Sequence, residues 1–116
     1  MTIERLHVGP RMCEATIHNG VVYLAGQVAE DASADVAGQT RQVLASIDRL
    51  LAEAGSDRTL ILQVQIFLAD IGDFAAMNAV WDAWVPAGRT PARATVEARL
   101  AAPGYRVEIK VIAAQA

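Results

Sequence analysis

The chain has 116 residues, 53% of them hydrophobic, a net charge of −3 and one cysteine, Cys13. Its scattered Lys and Arg exclude the concentrated positive footprint that nucleic acid requires, and a lone cysteine excludes an internal disulfide. No apolar run approaches a membrane span, and no basic-then-apolar leader opens the sequence, so a single cytoplasmic domain over 1–116, without membrane contact, is expected. A mean hydropathy of +0.27 is high for a small monomer. Burial against identical copies is the simplest use of that surplus.

In chain order, a first strand is predicted over Ile3 to Val8, stopped by Gly9-Pro10. A second runs from Met12 to His18 and a third from Val21 to Ala25. Between them Asn19-Gly20 marks a two-residue hairpin, because a type I′ turn needs positive φ at both central positions. Gly26, late in the third strand, leaves room for close approach of another group. Asp35 is placed to cap a helix reaching about Ala54, with Val36, Val43, Leu44, Ile47, Leu50, Leu51 and Ala54 at helical spacing. Gly55 is suited to end it in a left-handed turn.

Ser56 to Thr59 reads as a loop or a single helical turn. Leu60 to Ala69 is β-rich with apolar residues on both sides, as in a central strand covered twice. Asp73 is placed to cap a second helix, Phe74 to about Val85, with Phe74, Met77, Trp81 and Trp84 or Val85 toward the core. Pro86, Gly88 and Pro91 break it. Ala92 to Leu100 and Tyr105 to Ala114 are the last strands, joined by a turn at Pro103-Gly104. The order is βββαβαββ. This pattern predicts an α+β fold with one mixed sheet and both helices on one face. The other face would carry Arg93, Thr95, Glu97 and Arg99 beside Arg106, Glu108 and Lys110, open to water or to another subunit.

Little standard site chemistry is present. His7, His18 and Cys13 lack paired metal-ligand spacing. No glycine-rich run could cradle phosphates. Ser33, Ser46 and Ser56 sit in no nucleophile elbow. Cys13 reads as a small half-buried strand residue rather than a nucleophile. Trp81 and Trp84 read as core or interface anchors. Two charges remain. Arg93 opens a strand after a Pro/Gly loop, where a guanidinium can capture a carboxylate bidentately or form a surface ion pair. Glu108, between Val107 and Ile109, can serve general acid/base work or be a solvated strand residue. A tight Pro103-Gly104 hairpin would set Glu108 opposite a residue near Glu97, roughly 13 Å from Arg93 at strand rise. The two then share one site only across a subunit boundary.

An ordered series now becomes visible: Gly26-Gln27 after a strand, Gln39-Thr40 on the first helix, Asp73-Phe74 with Met77-Asn78 on the second, then Pro91-Ala92-Arg93 and Val107-Glu108-Ile109. From about Leu6 to Ala114 it resembles the RidA (YjgF-type) family of reactive-intermediate or imine deaminases. Arg11, Cys13-Glu14 and Trp81-Asp82-Ala83-Trp84-Val85 resemble a YoaB-like branch more than the best-studied one. The resemblance implies a chorismate-mutase-like fold and a homotrimer with clefts between subunits. It also implies hydrolysis of 2-imino or enamine acids, such as 2-iminopropanoate and 2-iminobutanoate, to 2-oxo acids and ammonia, with no cofactor and no metal. Arg93 matches the arginine that holds the substrate carboxylate, and Glu108 the glutamate that positions or activates water. Gly26 and Asn78 match positions in or near the cleft. Met12 stands where the best-studied branch has a tyrosine, Ala25 where serine is common, and Thr95 where cysteine is common. A trimeric small-carboxylate-binding or regulatory protein without turnover is the alternative the same residues allow.

Overall fold

The computed structural model describes residues 2–116. Its strands are β1 Glu4–Leu6, β2 Ala15–His18, β3 Val21–Leu24, β4 Ile61–Leu68, β5 Ala92–Glu97 and β6 Val107–Ala114. Helix α1 covers Val36–Glu53 and α2 covers Phe74–Trp84. The sheet order is β1-β2-β3-β6-β4-β5. One apolar stripe from each helix and alternate residues of the strands share a single core, among them Val43, Ile47 and Leu51 of α1, Met77 of α2, and Val64, Ile66, Ile109 and Val111 of the sheet.

Local signals account for the element ends. Asn19 and Gly20 have φ of 52° and 75°, the left-handed pair of a type I′ turn. The side chain of Asp35 accepts from the Gly38 N–H at 2.8 Å, capping α1. At the other end Gly55 has φ 76°, its N–H reaches Ala52 O at 3.2 Å, and the Ser56 N–H reaches Leu51 O at 2.8 Å. That is a Schellman closure. Strand β1 stops at Leu6 because His7 enters the left-handed region at φ 54°. The segment after Gly55 is a short 3-10 turn, Arg58–Leu60, capped by Asp57. The hydroxyl and N–H of Thr59 hold the Asp57 carboxyl below its ordinary value.

Five expectations are corrected. Helix α2 makes β4 and β5 the two ends of a crossover, so they pair in parallel, Val64 beside Arg93 and Leu68 beside Glu97. Strand β6 fills the slot between β3 and β4 instead of pairing with β5. The connection from Ala98 to Arg106 therefore passes the end of β4 rather than closing a hairpin. It is tied there by Ala98 N–H to Leu68 O at 2.9 Å and Ala69 N–H to Arg106 O at 3.1 Å.

The second correction follows from that register. Val64, Ile66 and Leu68 face the helices, so their neighbours Arg93, Thr95 and Glu97 do too. The open face instead carries Ala92, Ala94 and Val96 of β5, Glu108 and Lys110 of β6, and Gln63, Gln65 and Phe67 of β4. Third, β4 is covered on one face only, and a register shift between Ile61 and Gln63 leaves Leu62 51% exposed. Fourth, Asp73 makes no side-chain cap bond to α2, and Phe74 is 42% exposed rather than buried. Fifth, Cys13 lies in the loop before β2, outside any strand.

The loops flanking the sheet are pinned from within. Gln39 is fully buried on α1. Its amide donates to Ala32 O, Ala34 O and Gly104 O at 3.2, 3.0 and 3.0 Å, and its Oε1 accepts from the Arg106 N–H at 2.9 Å. One side chain thereby fixes both the approach to α1 and the approach to β6, which carries Glu108.

Candidate active site

Arg93 sits on the edge strand β5, under α2. Phe74, Asn78 and Trp81 follow at helical spacing and form one stripe of α2. The Arg93 guanidinium carbon lies 5.9 Å from the Phe74 ring centre and 5.3 Å from that of Trp81. Neither ion pair among the described residues involves Arg93; they are His7–Glu53 and Arg58–Asp48. The surface ion-pair reading thus finds no partner among the described residues. The ring quadrupoles attract the cation without filling a donor. Among the described residues no carboxylate takes its N–H fork, the group that binds a carboxylate bidentately.

Two further site residues share that side. Thr95 is two residues beyond Arg93 on the same face of β5, and Asn78 lies between the two rings on α2. Thr95 Oγ1 and Asn78 Oδ1 are buried without a hydrogen-bond partner, as is Asp73 Oδ2 at the start of α2. Unpaired buried polar atoms are costly, and their place next to Arg93 on β5 and on the stretch of α2 that meets its guanidinium suits a ligand that would satisfy them.

The second group is elsewhere. Glu108 projects from the open face of β6. Gln27 and Ile109 exchange backbone bonds at 2.9 and 3.1 Å, which brings the chain at Gly26 alongside β6. A Cβ on Gly26 would lie 2.1 Å from Glu108 Oε2 and 2.9 Å from its Cδ. The carboxylate occupies the space a side chain would need. Gln27 is buried, its amide donating to Glu14 Oε2 and to Ala25 O, both at 3.1 Å. Met12 stands apart on the loop before β2, 52% exposed.

The predicted site residues therefore fall into two sets, Arg93, Asn78 and Thr95 on the helix side and Gly26 and Glu108 on the open side. Arg93 pairs with Val64 and Glu108 with Phe67, an offset of about 10 Å along β4, and β5 and β6 lie about 10 Å apart on either side of it. Their side chains point to opposite faces. One chain cannot close both around a small molecule. The sequence reading missed Trp81 and Phe74 as the wall behind Arg93. Their seven-residue spacing with Asn78 between them was the available signal.

A sizeable cavity lies away from both sets. A trough of about 660 Å³ between α1 and α2 is lined by Leu44, Val80 and several alanines, with Arg58 and Trp84 at its wall. No group of three or more His, Cys, Asp or Glu among the described residues is placed to hold a metal. No helix there is long and apolar enough to cross a membrane.

A mixed six-stranded sheet with two helices on one face, and an unpaired arginine on its edge strand, defines the class as an α+β protein of the YjgF fold. The chain belongs to the RidA/YjgF family, matching over residues 2–115 the family described as "Endoribonuclease L-PSP", and within it to a YoaB-like branch. It is 50% identical over 114 residues to the RutC family protein YoaB of Escherichia coli strain K12, covering 98% of this chain and 99% of that one. The crystal structure of a YjgF-family protein from Neisseria meningitidis is 54% identical, with a TM-score of 0.97 over 100% of this chain and 97% of that one. A rat protein named 2-iminobutanoate/2-iminopropanoate deaminase is 32% identical over 108 residues, 88% of this chain and 78% of its own.

Proposed function

We propose that the chain hydrolyses 2-imino and enamine acids to 2-oxo acids and ammonia, at sites completed between subunits of a homotrimer. The observation that carries this reading is Arg93, a half-buried cation with ring faces behind it, no carboxylate partner, and unpaired Thr95 and Asn78 oxygens beside it. The activity named for the rat relative supports the substrate class.

The subunit boundary has its own support. Strand β5 buries none of its residues, and its apolar side, Ala92, Ala94 and Val96, faces outward beside Phe67. Val96 is 42% exposed and Leu62 51%. Apolar residues turned outward on an edge strand and an uncovered sheet suit burial against another copy. Such packing would set Arg93 of one subunit against Gly26 and Glu108 of its neighbour.

In that site Arg93 takes the substrate carboxylate and fixes C2 at the boundary. A protonated imine is already electrophilic, so no covalent nucleophile is required. Glu108 accepts a proton as water adds to C2, giving a tetrahedral carbinolamine. It then returns that proton to the amine, and as the C–N bond breaks and C=O forms the hydroxyl proton passes to the departing nitrogen, which leaves as ammonium. The balance is one protonated imine and one water to one 2-oxo acid and one ammonium ion. Gly26, lacking a side chain, lets the carboxylate lie against the backbone.

The family description names an endoribonuclease. A net charge of −3 with dispersed basic residues favours a small acid over a polyanionic RNA. Met12, which stands where the best-studied branch has a tyrosine and lacks its hydroxyl, favours the second reading of a small-carboxylate-binding protein without turnover. Decay of 2-iminopropanoate separates the two. Wild type should outpace buffer, and Arg93→Ala should lose about 100-fold, the scale of a bidentate charged contact. A wild type no faster than buffer would reject the deaminase. If it still bound 2-oxo acids, and Arg93→Ala abolished that binding, the second reading would stand.

A further inference from the structure

We infer that Trp81, with Phe74 beside it, is the positioning residue for Arg93, and that a stack of rings and guanidinium groups running through α2 holds it in place. This deepens the reading of Arg93 as the carboxylate anchor and rests on it for the ligand, though not for the geometry. The stack begins with the Arg93 guanidinium 5.3 Å from the Trp81 ring centre. Trp81 and Trp84 lie 5.4 Å apart at 44°. Behind Trp84 the Arg58 guanidinium sits 4.8 Å from its ring centre.

The far end of the stack is fastened in several directions. Arg58 forks onto Asp48 of α1, Nε to Oδ1 at 3.1 Å and Nη2 to Oδ2 at 2.6 Å. Its Nη1 donates to Trp84 O at 2.9 Å, and the Trp84 indole N–H donates to Asp48 Oδ2 at 3.0 Å. Trp84 is thus fixed by its ring, its indole nitrogen and its carbonyl. Trp81, 5% exposed and packed in the core, has little freedom to turn. The Arg93 guanidinium lies over its ring.

An arginine has many rotamers, and one on an edge strand would ordinarily sample them in water. Fixing it with a carboxylate would fill the N–H fork that the ligand needs. An aromatic face fixes the same cation through the ring quadrupole and leaves the in-plane donors open. Phe74, 5.9 Å away and partly exposed, closes the second side. The stripe Phe74, Asn78 and Trp81 on α2 therefore sets where the carboxylate of a ligand must lie.

The test compares Trp81→Leu, Trp81→Phe and Phe74→Leu in the full-length assembled protein. The first readout is the Arg93 Nε–H resonance by 15N NMR, with a ring-current shift and slowed exchange expected in wild type. Trp81→Leu should abolish that signature, Trp81→Phe should largely keep it, and Phe74→Leu should reduce it. The second readout is 2-oxobutanoate affinity by calorimetry, with KM and kcat for 2-iminopropanoate. Trp81→Leu should weaken binding about 3- to 30-fold, the scale of a desolvated cation–π contact. Trp81→Phe should stay within about threefold of wild type.

A folded, normally assembled Trp81→Leu with an unchanged Arg93 resonance would overturn the inference, as would Trp81→Phe behaving like Trp81→Leu. Should Trp81→Leu not fold, Phe74→Leu and Trp81→Phe decide on the same resonance. A wild type that binds no 2-oxo acid would refute the substrate class while the resonance still decides the positioning role.

Discussion

Co-assembly of two inactive variants tests the division of the site most directly. Arg93→Ala removes the proposed carboxylate anchor, and Glu108→Gln removes the proposed proton acceptor. Each alone should fall about 100-fold below wild type. Within one chain Arg93 and Glu108 sit on opposite faces of the sheet, offset by the step from Val64 to Phe67 along β4 and separated by that strand. The proposed site therefore takes Arg93 from one subunit and Glu108 from the next. When the two variants are co-expressed in equal amounts and mix at random, about one half of subunits supply each intact residue, so about one quarter of sites carry both. That fraction holds for any closed ring with one site per interface. The assay is 2-iminopropanoate decay per protomer, with differently tagged chains and tandem purification of mixed assemblies. Tandem purification removes the two homotrimers, and either mixed trimer holds one intact site in three, so activity near a third of wild type is expected. Mixed assemblies no more active than the parents would refute the two-subunit site.

Two further variants probe the supports of Glu108. Gly26→Ala puts a methyl into space held by the flexible end of Glu108, within 2.1 Å of Oε2. Activity should fall to the level of Glu108→Gln while the urea midpoint barely moves, and full activity would show that this placement of Glu108 is not needed. Gln39→Leu removes the amide that serves Ala32, Ala34 and Gly104 and strands the Arg106 N–H. Leaving those buried groups unpaired should cost about 2–4 kcal/mol. Urea unfolding reads it, and an unchanged midpoint would mean that water replaces the side chain.

What was legible in the sequence was local. Asn19-Gly20, Asp35 and Gly55 each specify a turn or a helix end through their own backbone preferences, and each does so in the structure. The α1 stripe was legible because an 18-residue amphipathic period leaves one solution. Strand partners were not. Pro103-Gly104 reports that the chain bends, but not that β6 passes β4 to pair on its far side. That choice is made by α2, whose crossover places β5 parallel to β4. The face of Arg93 was hidden for a related reason. Alternation in β5 separates Ala92, Ala94 and Val96 from Arg93, Thr95 and Glu97, and the usual rule turns the apolar set inward. Here the polar set lies under α2, because Phe74 and Trp81 offer a cation two ring faces. The ordered family series carried the identities of Arg93 and Glu108 further than any single pattern did.

Strand β5 contributes no buried residue, whereas Val107, Ile109, Val111 and Ala113 of β6 are all in the core. The two halves of the site therefore differ in their freedom to evolve. Substitutions on β5 itself displace no core side chain, so the fold of the single chain constrains them less, although its apolar side would still answer to the subunit boundary. Those around Glu108 alternate with core positions, and most would be removed for instability before any gain in chemistry could be tried. Libraries seeking altered substrate range would be best concentrated on β5 and the outward positions of the first turns of α2, with β6 left intact.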